Sequence, residues 1–150
     1  MPQSLSQVII HVVFGTKGRR PTLDANVRSR VHRYLAEVAR DCECEAYRVG
    51  GVADHVHLAL RLARTVSQAE LLEKLKTTSS KWVKTLGPLY DDFGWQRGYG
   101  DFSVGFSQLE RLCDYIDRQE AHHKRVTFEE EYRMLLKKYN LPFDERYVWD

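Results

Sequence analysis

The chain has 150 residues, 43% apolar and 29% charged, an ordinary globular composition, and residues 1–150 are expected to bury one core as one domain. Nine glycines and four prolines exclude a collagen-like or linker-dominated chain, and no apolar run approaches the length of a membrane span. A formal charge of +2 is at best a weak global hint of polyanion binding, so any nucleic-acid footprint has to be local.

Met1 to Gln7 lack the basic flank and small-residue cleavage pattern of a secretory leader, and Cys42, Cys44 and Cys113 are an odd set without disulfide-framework spacing. A reducing cytoplasm is the expected compartment. Gln7 to Gly15 is β-branched and apolar on both faces, which predicts a central strand ending in the basic loop Thr16 to Pro21. Val27, Val31, Tyr34, Leu35 and Val38 recur at helical spacing over Leu23 to Ala39, with Asp24 available as N-cap. Cys44 to Val49 and Asp54 to Leu62 predict a hairpin turning at Gly50-Gly51. Ser67 and Glu70 have capping-box spacing ahead of the stripe Leu71, Leu72, Leu75, Ser79, Trp82 and Leu86, which stops at Gly87-Pro88. A short strand through Phe102 to Val104 follows; Ser107 and Glu110 repeat the capping pattern before a helix to about His123, and Thr127 to Tyr139 predicts a last helix onto which the aromatic tail can dock.

The order strand, helix, strand, strand, helix, strand, helix predicts an α+β, ferredoxin-like split β-α-β sandwich. Its antiparallel sheet would carry helices on one face, leave the other open, and add a C-terminal tyrosine-bearing helix. On the third strand, period two sends Val56, Leu58 and Leu60 to the covered face and His55 and His57 to the other. Such a pair suits either a divalent cation held through ring nitrogens or a hydrogen-bonded surface pair. On the tyrosine helix, Leu109, Leu112, Cys113 and Ile116 form the core stripe, while Tyr115, Gln119 and His122 share another face flanked by Arg111 and Arg118. Tyr115 alone reads equally as a tyrosine at the core edge. His122 and His123 suit proton transfer or the helix C-terminus; His11 suits a group supporting the His pair or a core histidine; Cys42 and Cys44 suit a soft metal or an ordinary reduced pair.

Taken together, Asp54-His55-Val56-His57-Leu58 and the helix from Tyr115 to Lys124 resemble the single-tyrosine HUH transposases of small bacterial insertion sequences. The likeness extends to Val12 to Lys17, Ser79 to Trp82 and Trp95 to Val104. It implies that Tyr115 is the nucleophile, that His55, His57 and Gln119 ligate Mg2+ or Mn2+, and that single-stranded DNA is cleaved through a 5′-phosphotyrosine and rejoined. It also implies hairpins at element ends as DNA partners and a homodimer in which the tyrosine helix of one subunit serves the histidine strand of the other, in a prokaryotic, nucleoid-associated setting. Lys17, Arg19, Arg20, Arg61, Lys81, Arg111 and Arg118 are candidate backbone contacts together with Arg64, Lys74, Lys76 and Lys84, and Trp82 or Trp95 candidate stacking surfaces. Three other readings fit the residues: a domesticated relative that processes chromosomal repeats, a non-cleaving nucleic-acid-binding ferredoxin-like module, and a metal-dependent hydrolase of small phosphoesters.

Overall fold

The computed structural model describes residues 2–150. Four strands, β1 (Ile9–Gly15), β2 (Glu45–Val52), β3 (His55–Arg61) and β4 (Gly100–Val104), form one antiparallel sheet in the order β2-β3-β1-β4. This is the order expected of the split β-α-β arrangement, with the doubly apolar β1 in the interior of the sheet. Among the described residues, no helix is long and apolar enough to cross a membrane.

Alternation along β1 and β3 divides the core in two. Ile10, Val12 and Phe14 with Val56, Leu58 and Leu60 pack under α1 (Arg28–Asp41) and α2 (Gln68–Val83), chiefly against Val31, Leu35, Leu71, Leu72 and Leu75. The α2 start follows its sequence signature, since the Glu70 backbone N–H donates to Ser67 Oγ at 3.1 Å. The α1 start does not. The side chain of Asp24 instead accepts from Asn26 N–H in a preceding turn, and the helix begins at Arg28.

The second face of the sheet, expected open, is covered by this chain's own C-terminal third: α3 (Leu109–Asp117), α4 (Gln119–His122) and α5 (Phe128–Lys138). Leu112 and Ile116 of α3 lie on Ala59, and Phe128, Tyr132 and Leu136 of α5 lie on Val13 and Phe102, with Val148 and Trp149 of the tail docked behind them. Glycines make room, Gly50 and Gly100 among them. A Cβ at Gly50 would stand 2.7 Å from Ile116 Cγ2, and one at Gly100 would stand 2.8 Å from Tyr132 Cε1. The β2–β3 hairpin accordingly does not turn at Gly50-Gly51. Both glycines stay in the ladder, opposite His57 and Val56, and the chain reverses at Ala53-Asp54.

The helix expected to run unbroken from Ser107 to His123 is divided. Residues 106–108 form a 3₁₀ turn with no side-chain cap, so Ser107 does not cap it, and Arg118 interrupts the α-helical backbone at φ −97°, ψ 13°. The interruption swings α4 so that Gln119 points under the sheet face and is only 1% exposed.

Candidate active site

His55 and His57 project side by side from β3 beneath α4 and α5, both 0% exposed, with ring centroids 5.0 Å apart. Buried imidazoles require partners on both nitrogens. His55 Nδ1 is 2.7 Å from Asp54 Oδ1, and His57 Nδ1 is 2.8 Å from His11 Nε2 on the adjacent strand. These contacts orient the two rings so that both Nε2 atoms face the same space, which places His11 as the group that supports the pair.

A carboxylate from α5 occupies that space. Glu131 Oε1 lies 3.0 Å from His57 Nε2, 3.3 Å from His55 Nε2 and 3.1 Å from His123 Nε2. Glu131 Oε2 accepts from the Tyr115 hydroxyl and, at 3.0 Å, from Gln119 Nε2. Gln119 Oε1 in turn faces His55 Nε2 at 3.1 Å and His123 Nε2 at 2.8 Å. The sequence-predicted Tyr115, His55, His57 and Gln119 therefore do meet, and they meet through Glu131 and His123, whose place in the cluster the sequence reading did not assign. His122 Nε2 also lies 3.3 Å from Glu131, but without hydrogen-bond alignment, and is left buried and unpartnered.

The electrostatics follow from this packing. Burial alone would raise the Glu131 carboxyl, but hydrogen bonds from His123, His55 and His57 hold it far below the usual carboxylate range. Burial would lower His55, yet the Asp54 and Glu131 carboxylates outweigh it and raise its pKa, whereas His57 is lowered because burial wins there. The Tyr115 phenol is pushed well above its ordinary value by burial first and by the Glu131 charge second. In this arrangement Tyr115 is a firmly protonated hydrogen-bond donor.

The donor set fits a divalent cation. His55, His57, His123 and Glu131 each offer a ligand atom, and these atoms all lie within 4.8 Å of one another. The Glu131 and Gln119 oxygens crowd three imidazole nitrogens, an arrangement that protons or a cation must reconcile, and mixed nitrogen and oxygen ligands suit Mg2+, Mn2+ or Zn2+.

The candidate DNA contacts lie in several separate places. Arg111 and Arg118 line a cleft of about 900 Å³ between α3 and α5 that ends at Tyr115. Lys17 and Arg20 share a groove with Ser80 and Lys84 of the α2 end, while Arg19 pairs with Glu129 at 3.2 Å and Arg61 with Glu45 at 3.3 Å. Lys81 and Trp82 lie in the groove between α1 and α2, across the sheet from the histidines, where Trp82 stacks on Tyr34 at 4.3 Å. Two candidates are structural instead. Lys76 is spent on the carbonyls of Gln96, Arg97 and Gly98, at 2.6 to 2.9 Å, and Trp95 is buried with its indole N–H donating to Ser79 Oγ at 2.9 Å.

Residues 4–119 match the sequence model described as transposase, IS200-like. The chain belongs to the IS200-like transposase family. The matched span contains β1 through Gln119 and stops short of His123 and Glu131, so α5 brings its carboxylate to the cluster from outside that span. A search of curated proteins returned no match to this transposase. Among solved structures, it is similar to a candidate transposase of Deinococcus radiodurans R1, with TM-score 0.62 and 20% identity over 79% of this chain and 98% of the other. It is also similar to a REP-associated tyrosine transposase bound to a REP hairpin, with TM-score 0.62 and 15% identity over 84% of this chain and 74% of the other. Both likenesses concern the fold.

Proposed function

We propose that this transposase cuts and rejoins single-stranded DNA with Tyr115 as nucleophile. The observation that carries the reading is that the Tyr115 hydroxyl and the Nε2 atoms of His55 and His57 converge on one carboxylate, Glu131. The Tyr115 oxygen would bond to the scissile phosphorus as the bond from phosphorus to the 3′ oxygen breaks, leaving a 5′-phosphotyrosine and a 3′-hydroxyl. Glu131 accepts the phenol hydrogen bond and so orients the hydroxyl, whose proton passes to solvent as the bond to phosphorus forms. The leaving 3′ oxygen takes a proton from solvent. Because the phosphodiester energy is kept in the phosphotyrosine, a 3′-hydroxyl can reverse the step and join a different end without water or ATP.

His55, His57 and Gln119, with Glu131 and His123, would hold Mg2+ or Mn2+. When bound, such an ion polarises a phosphoryl oxygen. Asp54 and His11 keep the histidine rings aimed at that position, and α5 keeps bulk water off it. Hairpins at element ends are the DNA partners this reading implies, in keeping with the hairpin carried by one structural relative. We also propose a homodimer in which each protomer keeps its own complete set of residues, since one chain already brings Tyr115 to within 5.7 Å of its own His57, ring centroid to ring centroid. Likeness to a REP-associated enzyme supports a second reading, a relative that processes chromosomal repeats. Genomic copy number and flanking hairpins distinguish the two.

Incubation with single-stranded element-end DNA and Mn2+ is expected to give a covalent adduct visible on a denaturing gel, with the DNA mapped to Tyr115 by mass spectrometry of the linked peptide. Tyr115→Phe should abolish it. An adduct that persists in that variant would overturn the nucleophile assignment.

A further inference from the structure

The cleft between α3 and α5 is the feature that catalysis at Tyr115 does not by itself explain. It holds about 900 Å³, within the range of small-ligand sites, and its inner end is Tyr115 and Glu131. One wall, with Arg111, Leu112 and Arg118, belongs to the span that matches the family; the other, with Met134, Lys138 and Tyr139, lies beyond residue 119.

The cleft is lined by cations that the chain itself leaves unneutralised. Arg19, Arg48, Arg61, Arg133 and Arg146 each pair with an acid, whereas among the described residues Arg111, Arg118 and Lys138 form no ion pair. All three are exposed, and apart from Glu131, already held by imidazoles, Asp114 is the acid among the lining residues. Beside the cations lies apolar surface that folding has left in water: Met134, in the lining, is 63% exposed, and Phe106, next to the lining residue Gly105, is 68% exposed. Free cations above apolar and aromatic walls match a ligand with an anionic backbone and flat apolar faces.

We propose that this cleft seats the unpaired nucleotides flanking the scissile phosphate, with their phosphates on Arg111, Arg118 and Lys138 and a base against Leu112, Met134 and Tyr139. The assignment rests on the proposed single-strand cleavage for its biological meaning but not for its test. α5 thereby has two roles, carrying Glu131 inward and the strand-binding wall outward.

The test uses the full chain without metal and a fluorescent eight-residue oligothymidylate, which forms no hairpin, in anisotropy titrations over a salt series. Replacing Arg111, Arg118 and Lys138 together by Ala is expected to weaken binding at least tenfold at low salt and to reduce the salt slope by about 2, three contacts at ~0.7 each. Replacing the exposed cations Arg33, Arg40 and Arg97 together is the charge-matched control, expected to cost less than threefold. On the unmodified protein, ultraviolet crosslinking of a bromodeoxyuridine oligonucleotide should label Met134 or Tyr139. Equal losses in the two triple variants, or crosslinks confined to α1 and α2, would overturn the cleft assignment. If the Tyr115 adduct forms while binding ignores the cleft cations, the cleft assignment fails and the nucleophile reading stands. If the cleft cations matter and no adduct forms, the reverse holds.

Discussion

Glu131 shows how one residue organises a site. A carboxylate at 2% exposure is sustained only by hydrogen bonds to every lone pair it can offer, and here three imidazoles, a phenol and an amide provide them. Removing it leaves the buried Nε2 of His57 without an acceptor and that of His55 with Gln119 Oε1 alone. Glu131→Ala is therefore expected to lower stability by about 3 kcal/mol in urea titrations without metal, the usual cost of breaking a buried pair. Glu130→Gln, exposed on the same turn, is expected to stay within ~0.5 kcal/mol. Equal losses from both would place the effect in the start of α5. In the sequence, period two and period 3.6 put His55, His57, Tyr115 and Gln119 on faces away from the apolar stripes, and the resemblance to single-tyrosine transposases supplied the roles expected of them. Glu131 was not legible, although it stands beside Tyr132, three residues after Phe128, on the stripe itself. Glu129, Glu130 and Glu131 together satisfy the expectation of acids in a first helical turn, so nothing marked the one that is buried.

At the scale of elements, local signals held where they are chemical and failed where tertiary packing decides. The Ser67 cap forms as its sequence predicts, Thr127 caps α5 in the same way, and β1 is interior to the sheet because its residues are apolar on both faces. The break at Arg118 has no glycine or proline to announce it, and Gly50-Gly51 reads locally as a turn although Ile116 requires a glycine in mid-strand. β4 carries a further departure. Asp101, opposite Val12 on the face toward α1 and α2, has both carboxylate oxygens buried without a partner, and burial raises its pKa to about 6. An inward carboxylate on an edge strand discourages pairing with another edge. Because the folded pKa exceeds the unfolded value, the folded state binds more protons between about pH 4 and 6, and stability falls as pH rises through that window. After discounting for partial exposure, Asp101→Asn is expected to gain about 1 kcal/mol in urea titrations at pH 8 and nothing at pH 4. A gain independent of pH would show that the ionised carboxylate is not the source.

At the scale of the molecule, the ferredoxin-like half and the C-terminal third share the work across one sheet: α1 and α2 stabilise the face of aliphatic residues, and α3 to α5 complete the face of histidines. The resemblance to single-tyrosine transposases implied that a partner's tyrosine helix would serve the histidine strand, and the fold reading left that face open. In this chain the cover is its own. Tyr115 follows Gln119 and Glu131 into the cluster without a long linker, because the interruption at Arg118 and the loop from His123 to Thr127 suffice to bring α4 and α5 back over β3. Ile116 against Gly50, and Phe128 and Tyr132 against the sheet, would all have to be exposed before α3 and α5 could cross to another subunit. At roughly 25 cal/mol for each Å² of apolar surface, exposing those side chains would cost several kcal/mol that a swapped partner must return. The tyrosine is therefore expected to work on its own chain's histidines. Mixing Tyr115→Phe protein with His57→Ala protein, after joint unfolding and refolding to exchange subunits, should leave adduct formation at the level of the separate variants. Recovery toward a quarter or more of the wild-type yield would show instead that the nucleophile of one subunit meets the histidines of the other.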